Sequence, residues 1–401
     1  MIQLFNKTSS KISSIIVAFN AGHRVEKIGK FNPGLAHMLE HCIFKGTETR
    51  ESLEIQEQVS MLGGYINAFT SHEIVAYYIE VPYENLEPAI ELMSDIILNS
   101  TIPDDEFEKE RNVVLEEEAS SYDSVGSFMY REFASRFYKG YKSEPVIGTK
   151  ESINNFTAQE VRDFYNRFCS RENIYLSVSS NCTKKHAKGL MEKHFGKASG
   201  RVKKPKTFKR VDKYPAVGQT LELKRPEIEH TYVWMSFPFF LESEKKPSSG
   251  IMSSVLGGGM DSRLFVEVRE KRGLVYSIGC GSSQGETQGV FRVSFSTRNE
   301  NVDEVIELVK QEIKKISTEL ITEKELIKTK NISRTSYYKT IEDGYTIAMS
   351  QINQKLFKSL GVEKYSQLLQ DTTREDVLER AKEIFNVEPF IMICRGEKNE
   401  Q

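Results

Sequence analysis

The feature that most limits how this chain can fold is that it repeats itself. Glu84-Asn85-Leu86 followed by Ile90-Glu91-Leu92 returns 216 residues later as Glu300-Asn301-Val302 followed by Ile306-Glu307-Leu308. At the same shift Thr157 and Glu160-Val161 return as Thr373 and Asp376-Val377, and the apolar run 174–178 returns as 390–394. Glu106-Phe107 and Asn112 return as Glu325-Leu326 and Asn331 at a shift of 219, which marks a small insertion. A chain of 401 residues exceeds what one core supports, so each copy is a domain of about 200 residues.

Local patterns say what one copy contains. Residues 12–19 form an apolar, β-branched run that reads as a strand, and 51–62 read as a helix. Gly63-Gly64 turns into a strand ending at Thr70, and 74–81 is its antiparallel partner. Residues 84–98 make an amphipathic helix. Asp104-Asp105 then caps a long Glu-rich helix running to 122. The expected fold is α+β: two similar copies of an antiparallel sheet, each with helices packed on one face. Residues 1–200 form the first domain and 218–401 the second. Between them 201–217, entered through Ala198-Ser199-Gly200 and rich in lysine, reads as a solvated linker.

Composition removes several classes of function. Charged residues make up 28% of the chain, yet the net charge is −2, so no nucleic-acid footprint is expected. No apolar run of about 18 residues exists to span a membrane. The first residues show neither a secretory layout nor an Arg-rich presequence, and the five cysteines are dispersed without a Cys-x-x-Cys. Reduced thiols in a cytoplasmic protein are the expectation.

Chemistry concentrates in His37-x-x-Glu40-His41. On a helix, histidines four apart project from one face, and two imidazoles so placed can hold one zinc ion. Glu40 lies beside the metal position without facing it, where a carboxylate can accept a proton from water. Pro33 suits a first helical position, and Leu35, Met38, Leu39 and Phe44 supply the apolar periodicity. Cys42 points off the metal face and reads as a core residue. The repeat makes the motif informative. Gly34 maps onto Gly250, so His37 falls on Ser253, Glu40 on Leu256 and His41 on Gly257. A histidine pair that merely filled the core would have a counterpart in the second copy, and this pair has none.

A catalytic zinc site needs a third protein ligand. The acid-dense stretch 106–118 is the downstream source. There Glu110 and Glu117, seven apart, share a helix face with Val113 and Val114 between them. Glu108, Glu116 and Glu118 read as a solvated face, although periodicity alone does not separate Glu116, Glu117 and Glu118.

Taken together, these segments resemble the inverted-zincin metallopeptidases: pitrilysin, insulin-degrading enzyme and the mitochondrial processing peptidase. The resemblance is carried by His37-x-x-Glu40-His41 with Glu117 downstream, Phe44-Lys45-Gly46-Thr47, Gly64-x-x-Asn67-Ala68-x-Thr70-Ser71 and Glu110-Arg111-x-Val113-Val114. The second half adds Leu256-Gly257-Gly258-Gly259-Met260-x-Ser262-Arg263-Leu264-Phe265 and the run from Val268 through Arg269 and Tyr276 to Ser277. The resemblance implies one zinc ion (Zn2+) per chain on His37, His41 and Glu117, with Glu40 as general base and Glu110 as a supporting acid. It also implies an edge strand at Asn67 and Ala68 that pairs with substrate backbone, and contacts from Arg269 and Tyr276 to the peptide. The length resembles the short branch, in which two chains close around a peptide. This implies an endopeptidase acting on peptides or unfolded presequence-like segments, as a homodimer. A non-catalytic structural subunit, or one subunit of an obligate heterodimer, is the alternative.

Overall fold

The computed structural model describes residues 1–196, 214–240, 246–284 and 288–396. The chain runs β1 (Ile2–Lys7), β2 (Ile12–Phe19), α1 (His23–Gly29), α2 (Leu35–Cys42), α3 (Ser52–Met61), β3 (Tyr65–Thr70), β4 (Val75–Pro82), α4 (Leu86–Leu98) and α5 (Asp104–Ser120). It continues through α6 (Val125–Phe137), α7 (Lys150–Asn155), α8 (Ala158–Phe168), β5 (Ile174–Ser180) and α9 (Lys184–Phe195). The second half runs β6 (Thr220–Arg225), β7 (Thr231–Phe240), α10 (Lys246–Gly257), a π-helical turn (Phe265–Glu270), β8 (Val275–Gln284) and β9 (Gln288–Thr297). Helices α11 (Val302–Thr318), α12 (Glu323–Glu342), α13 (Gly344–Phe357), α14 (Val362–Asp371) and α15 (Arg374–Ile384) and strand β10 (Phe390–Gly396) complete it.

The duplication is visible in the sheets. Their strand orders are β1-β5-β2-β4-β3 and β6-β10-β7-β9-β8, the same plan twice. Both sheets are mixed, which corrects the antiparallel expectation: β1 pairs parallel with β5, and β6 with β10, while the other neighbours are antiparallel. The chain divides into two compact units, and the expected linker 201–217 lies mostly outside the described residues.

In the first unit, β2 is buried at every position after Ile12, because both of its faces are covered. One face holds the main core, in which Ile15, Val17, Phe19, Leu39, Tyr77, Ile90 and Phe107 meet. The other face is covered by α13. This helix lies in the second half of the sequence but belongs to the first unit. Helices on one face only were expected, so α13 is a correction. Its Ala348 and Ile352 pack on Ile16, Ala18, Ala76 and Tyr175. Small residues on the sheet let it approach: a side chain on Gly344 would begin 3.0 Å from the Ser14 hydroxyl. The Ser177 hydroxyl donates to Gln351 Oε1 at 3.1 Å, satisfying polar atoms that burial would otherwise strand.

The second unit has its own core, with Val233, Met235, Leu256, Phe291, Val293, Val305 and Val377 between sheet and helices.

Candidate metal and catalytic centre

Helix α2 starts after Gly34, whose φ of 97° lies in the left-handed region. Pro33 therefore precedes the helix instead of opening it. A Cβ at Gly34 would lie 2.5 Å from the Ile147 carbonyl oxygen, so glycine is also required by space. The helix buries Leu35, Ala36, Met38, Leu39 and Cys42 and turns His37 and His41 the other way, with ring centroids 4.8 Å apart. Cys42 is in the core, and burial pushes its thiol up to about 12.

Helix α5 packs against α2 and supplies the acids. Glu117 Oε2 stands 3.3 Å from His41 Nε2 and 3.7 Å from His37 Nε2. Three donor atoms from His37, His41 and Glu117 thus lie within 4.8 Å of one another, the single such group of metal-type ligands among the described residues. Tetrahedral zinc with bonds of about 2.0–2.1 Å sets its ligand atoms about 3.3 Å apart, so this donor set fits with small closing movements. Glu110 lies one shell behind. Its Oε2 is 3.0 Å from His41 Nδ1 and its Oε1 is 2.7 Å from Lys45 Nζ. Burial works against the Glu110 charge, but His41 and Lys45 outweigh it and hold the carboxyl below its usual range. An ionised Glu110 accepts a hydrogen bond from the Nδ1–H of His41, which leaves Nε2 facing Glu117 as a candidate metal ligand.

The two imidazoles respond oppositely to their surroundings. Burial, then the neighbouring His41, pushes His37 down to about 4, which keeps it neutral. Burial also opposes protonation of His41, but hydrogen bonds to Glu110 and Glu117 overcome it and raise the group to about 9. A metal ion at Nε2 would replace that proton.

Glu40 is oriented from the sheet: the Thr70 hydroxyl, at the end of β3, donates to its Oε2 at 2.5 Å. Burial raises the Glu40 carboxyl above its usual value despite that bond, the direction suited to a group that accepts protons near neutrality. Thr70 and Lys45 stand in motif segments quoted from the sequence, but the sequence reading assigns neither of them a contact. Thr70 is 30 residues from its partner, a pairing that only the fold makes visible. Lys45 does carry a signal, since it continues the face of His41 one turn on. Glu118 corrects the sequence reading. It is buried, not solvated, and pairs with Arg131 at 2.8 Å.

Strand β3 packs beside α2 and is an edge of its sheet. Asn67 donates to the Tyr65 hydroxyl at 2.7 Å, and its Oδ1 accepts from the Ala68 N–H at 2.7 Å. In the second unit Arg269 lies on the π-helical turn, its guanidinium 4.8 Å over the Phe265 ring and 5.5 Å from that of Tyr276. Tyr276 sits where the β8–β9 register slips between Val275 and Ser277 and is 74% exposed, so the bulge aims its side chain outward. The fold thus brings His37, Glu40, His41, Glu110 and Glu117 together in one unit, and Arg269 and Tyr276 together in the other.

Residues 2–149 match the family described as Insulinase (Peptidase family M16), and 155–333 match that described as Peptidase M16 inactive domain. A protein of Rickettsia felis named an uncharacterized zinc protease is 30% identical over 366 residues, which cover 88% of this chain and 85% of its own. The uncharacterized zinc protease YmxG of Bacillus subtilis is 29% identical over 323 residues, 77% of this chain and 75% of its own. In fold alone, the crystal structure of a protease from Helicobacter pylori matches with a TM-score of 0.86 at 24% identity, covering 98% of this chain and 96% of that one. With relatives at that identity and coverage, and both halves matched, the chain belongs to peptidase family M16.

Proposed function

We propose that the protein is a zinc-dependent endopeptidase that holds one zinc ion per chain on His37, His41 and Glu117. The observation that carries this reading is the convergence of three ligand atoms of the right chemistry, two of them on the short helix that also carries Glu40 and the third on α5. Zinc, when bound, would act as a Lewis acid toward the scissile carbonyl and the attacking water. The chain's own groups supply the rest. Glu40, with its carboxyl raised by burial, takes the proton of the attacking water and passes it to the leaving amine. Glu110, held by Lys45, fixes the tautomer of His41. The outer edge of β3 at Asn67 and Ala68 offers backbone groups to an extended peptide, largely without regard to its side chains. Arg269 and Tyr276 hold the substrate carbonyl, each centre of a homodimer drawing this pair from its partner protomer around a closed chamber. On this reading 1–200 is the catalytic domain and 218–401 the substrate-contacting one, and the substrates are peptides or unfolded presequence-like segments.

The test is metal analysis of the purified protein with cleavage of a quenched peptide, with and without chelator. Glu40→Gln should retain zinc while kcat falls by about 10²–10⁴-fold, since only the base is lost. A Glu40→Gln protein that cleaves at the wild-type rate would refute the base assignment. Wild-type protein without zinc or cleavage would favour the structural-subunit alternative.

A further inference from the structure

We propose that Glu26 is a positioning residue for the metal-holding helix, fixing the N-terminus of α2 through two backbone hydrogen bonds. The proposal rests on the reading of His37 and His41 as ligands.

Helix α2 has only eight residues, yet it carries both histidines and Glu40. Its N-cap is Gly34, which has no side chain to accept from the exposed N–H groups of the first turn. Glu26 does so from outside the helix. Its Oε2 accepts from the Gly34 N–H at 2.9 Å, and its Oε1 accepts from the Ala36 N–H at 2.7 Å. Each oxygen takes one backbone donor of the helix start, so the carboxylate sets both the height of the helix and its rotation about the axis. The residue after Ala36 is His37.

The carboxylate is itself held. Glu26 is 1% exposed, and His23 Nδ1 lies 2.7 Å from its Oε2. The far side of the His23 ring meets Glu144 at 3.6 Å, and His72 packs edge-on against it. Across the helix start, Gly34 abuts Ile147 and Gly148, so the first turn cannot retreat. A buried carboxylate is costly unless satisfied, and this one is satisfied chiefly by the helix that carries the chemistry. It also places a negative charge at the positive end of the helix dipole. Misplacing a reacting group by about 1 Å can cost on the order of 10²-fold in rate. A short helix without a cap of its own is the element where such drift begins.

The test compares wild type, Glu26→Gln and Glu26→Ala. Gln leaves one accepting oxygen and turns an NH₂ toward the second donor; Ala leaves none. Zinc affinity is read by chelator competition, and ligand geometry by the visible absorption of the cobalt-substituted protein. Zinc Kd should rise about tenfold or more in Glu26→Ala and less in Glu26→Gln, the range seen when groups behind metal ligands are lost. The cobalt spectrum should change with it, and kcat should fall more than KM rises. Thr183→Ala, which removes the N-cap of α9, serves as the stability control. If it weakens zinc as much for an equal drop in melting temperature, the effect is general destabilisation and the proposal is overturned. Wild-type zinc affinity and cobalt spectra in both Glu26 variants would also overturn it. In case neither variant folds, hydrogen exchange on wild-type protein decides: the Ala36 amide should be among the slowest of α2, and fast exchange there rejects the proposal. His41→Ala separates this outcome from failure of the site reading. If it binds zinc as wild type does, the ligand assignment itself is wrong.

Discussion

Glu117 and Glu118 are adjacent in sequence but face different partners, and on the proposed reading their substitutions should separate metal affinity from stability. The Glu118 side chain is 8% exposed and accepts from Arg131 at 2.8 Å, while Arg131 also lies 4.1 Å over the Tyr122 ring. Glu118→Gln keeps the volume but removes the charge, weakening a hydrogen bond between charged groups worth about 1.5–3 kcal/mol. For a unit of this size, about 2 kcal/mol lowers the melting temperature by about 4–8 °C. The Glu117 side chain is 50% exposed, so solvent screens its pairing with His41 and Glu117→Gln should cost about 1 kcal/mol or less without metal, below the cost of Glu118→Gln. On the proposed reading it also removes a direct ligand, and zinc affinity should then fall by more than about 100-fold, beyond what loss of a supporting group costs. The assay is calorimetry of both variants in chelator, followed by zinc titration of each. Weakened zinc binding in Glu118→Gln with unchanged binding in Glu117→Gln would refute the register of α5 argued here.

Two further outcomes follow from the same geometry. Asp95 accepts from Thr47, Arg50 and Asn99; burial opposes its charge, but these bonds outweigh it and the carboxyl is depressed. A depressed carboxyl contributes stability that is complete above the unfolded value of about 3.9 and lost as the pH falls through the folded value. Acid unfolding of Asp95→Asn should therefore show a lower plateau at neutral pH and a flatter limb below about pH 4; an acid limb identical to wild type would contradict this. If the centre is shared as proposed, Glu40→Gln protein mixed with Arg269→Ala/Tyr276→Phe protein should regain cleavage once subunits exchange, although each alone should be nearly inactive. Exchange confirmed by mass without recovery would rule the shared arrangement out.

Much of the fold was legible because its signals are local or repeated. Residues 12–19 read as a strand from their β-branched run and form β2 over the same span. The Glu-rich helix begins where Asp104 opens it, although Pro103 takes the cap position. The parallel β1–β5 pairing was not legible, because β1 joins a strand more than 160 residues away and nothing in either segment encodes the direction. Nor was α13 on the first sheet. Its pattern announces a helix with buried residues, but not which core receives them. The receiving surface is a row of small residues, Ser14, Ala18, Ser177 and Ser179, scattered over two distant strands. Glu118 was misread because a Glu-rich run looks solvated until Arg131, on the next helix, is seen to turn back toward it.

The silence of the second copy has a physical basis that goes beyond missing histidines. At Gly257, the counterpart of His41, an added Cβ would lie 2.7 Å from the Cys280 backbone nitrogen, so the end of α10 is pressed against β8. Leu256, the counterpart of Glu40, is fully buried. The acids have gone as well: at the shift of 219, Glu110 falls on Thr329 and Glu117 on Ser336. Restoring a metal site there would require moving a helix off a sheet, replacing a core residue and recharging α12. What the second copy carries instead is a π-helical turn that holds Arg269 over Phe265 and near Tyr276, and a bulge that leaves Tyr276 exposed. Ligands need two elements to converge at fixed spacing, whereas a substrate contact needs only an exposed side chain held at the right angle. On the proposed reading, the two copies have kept one sheet plan and diverged along that difference.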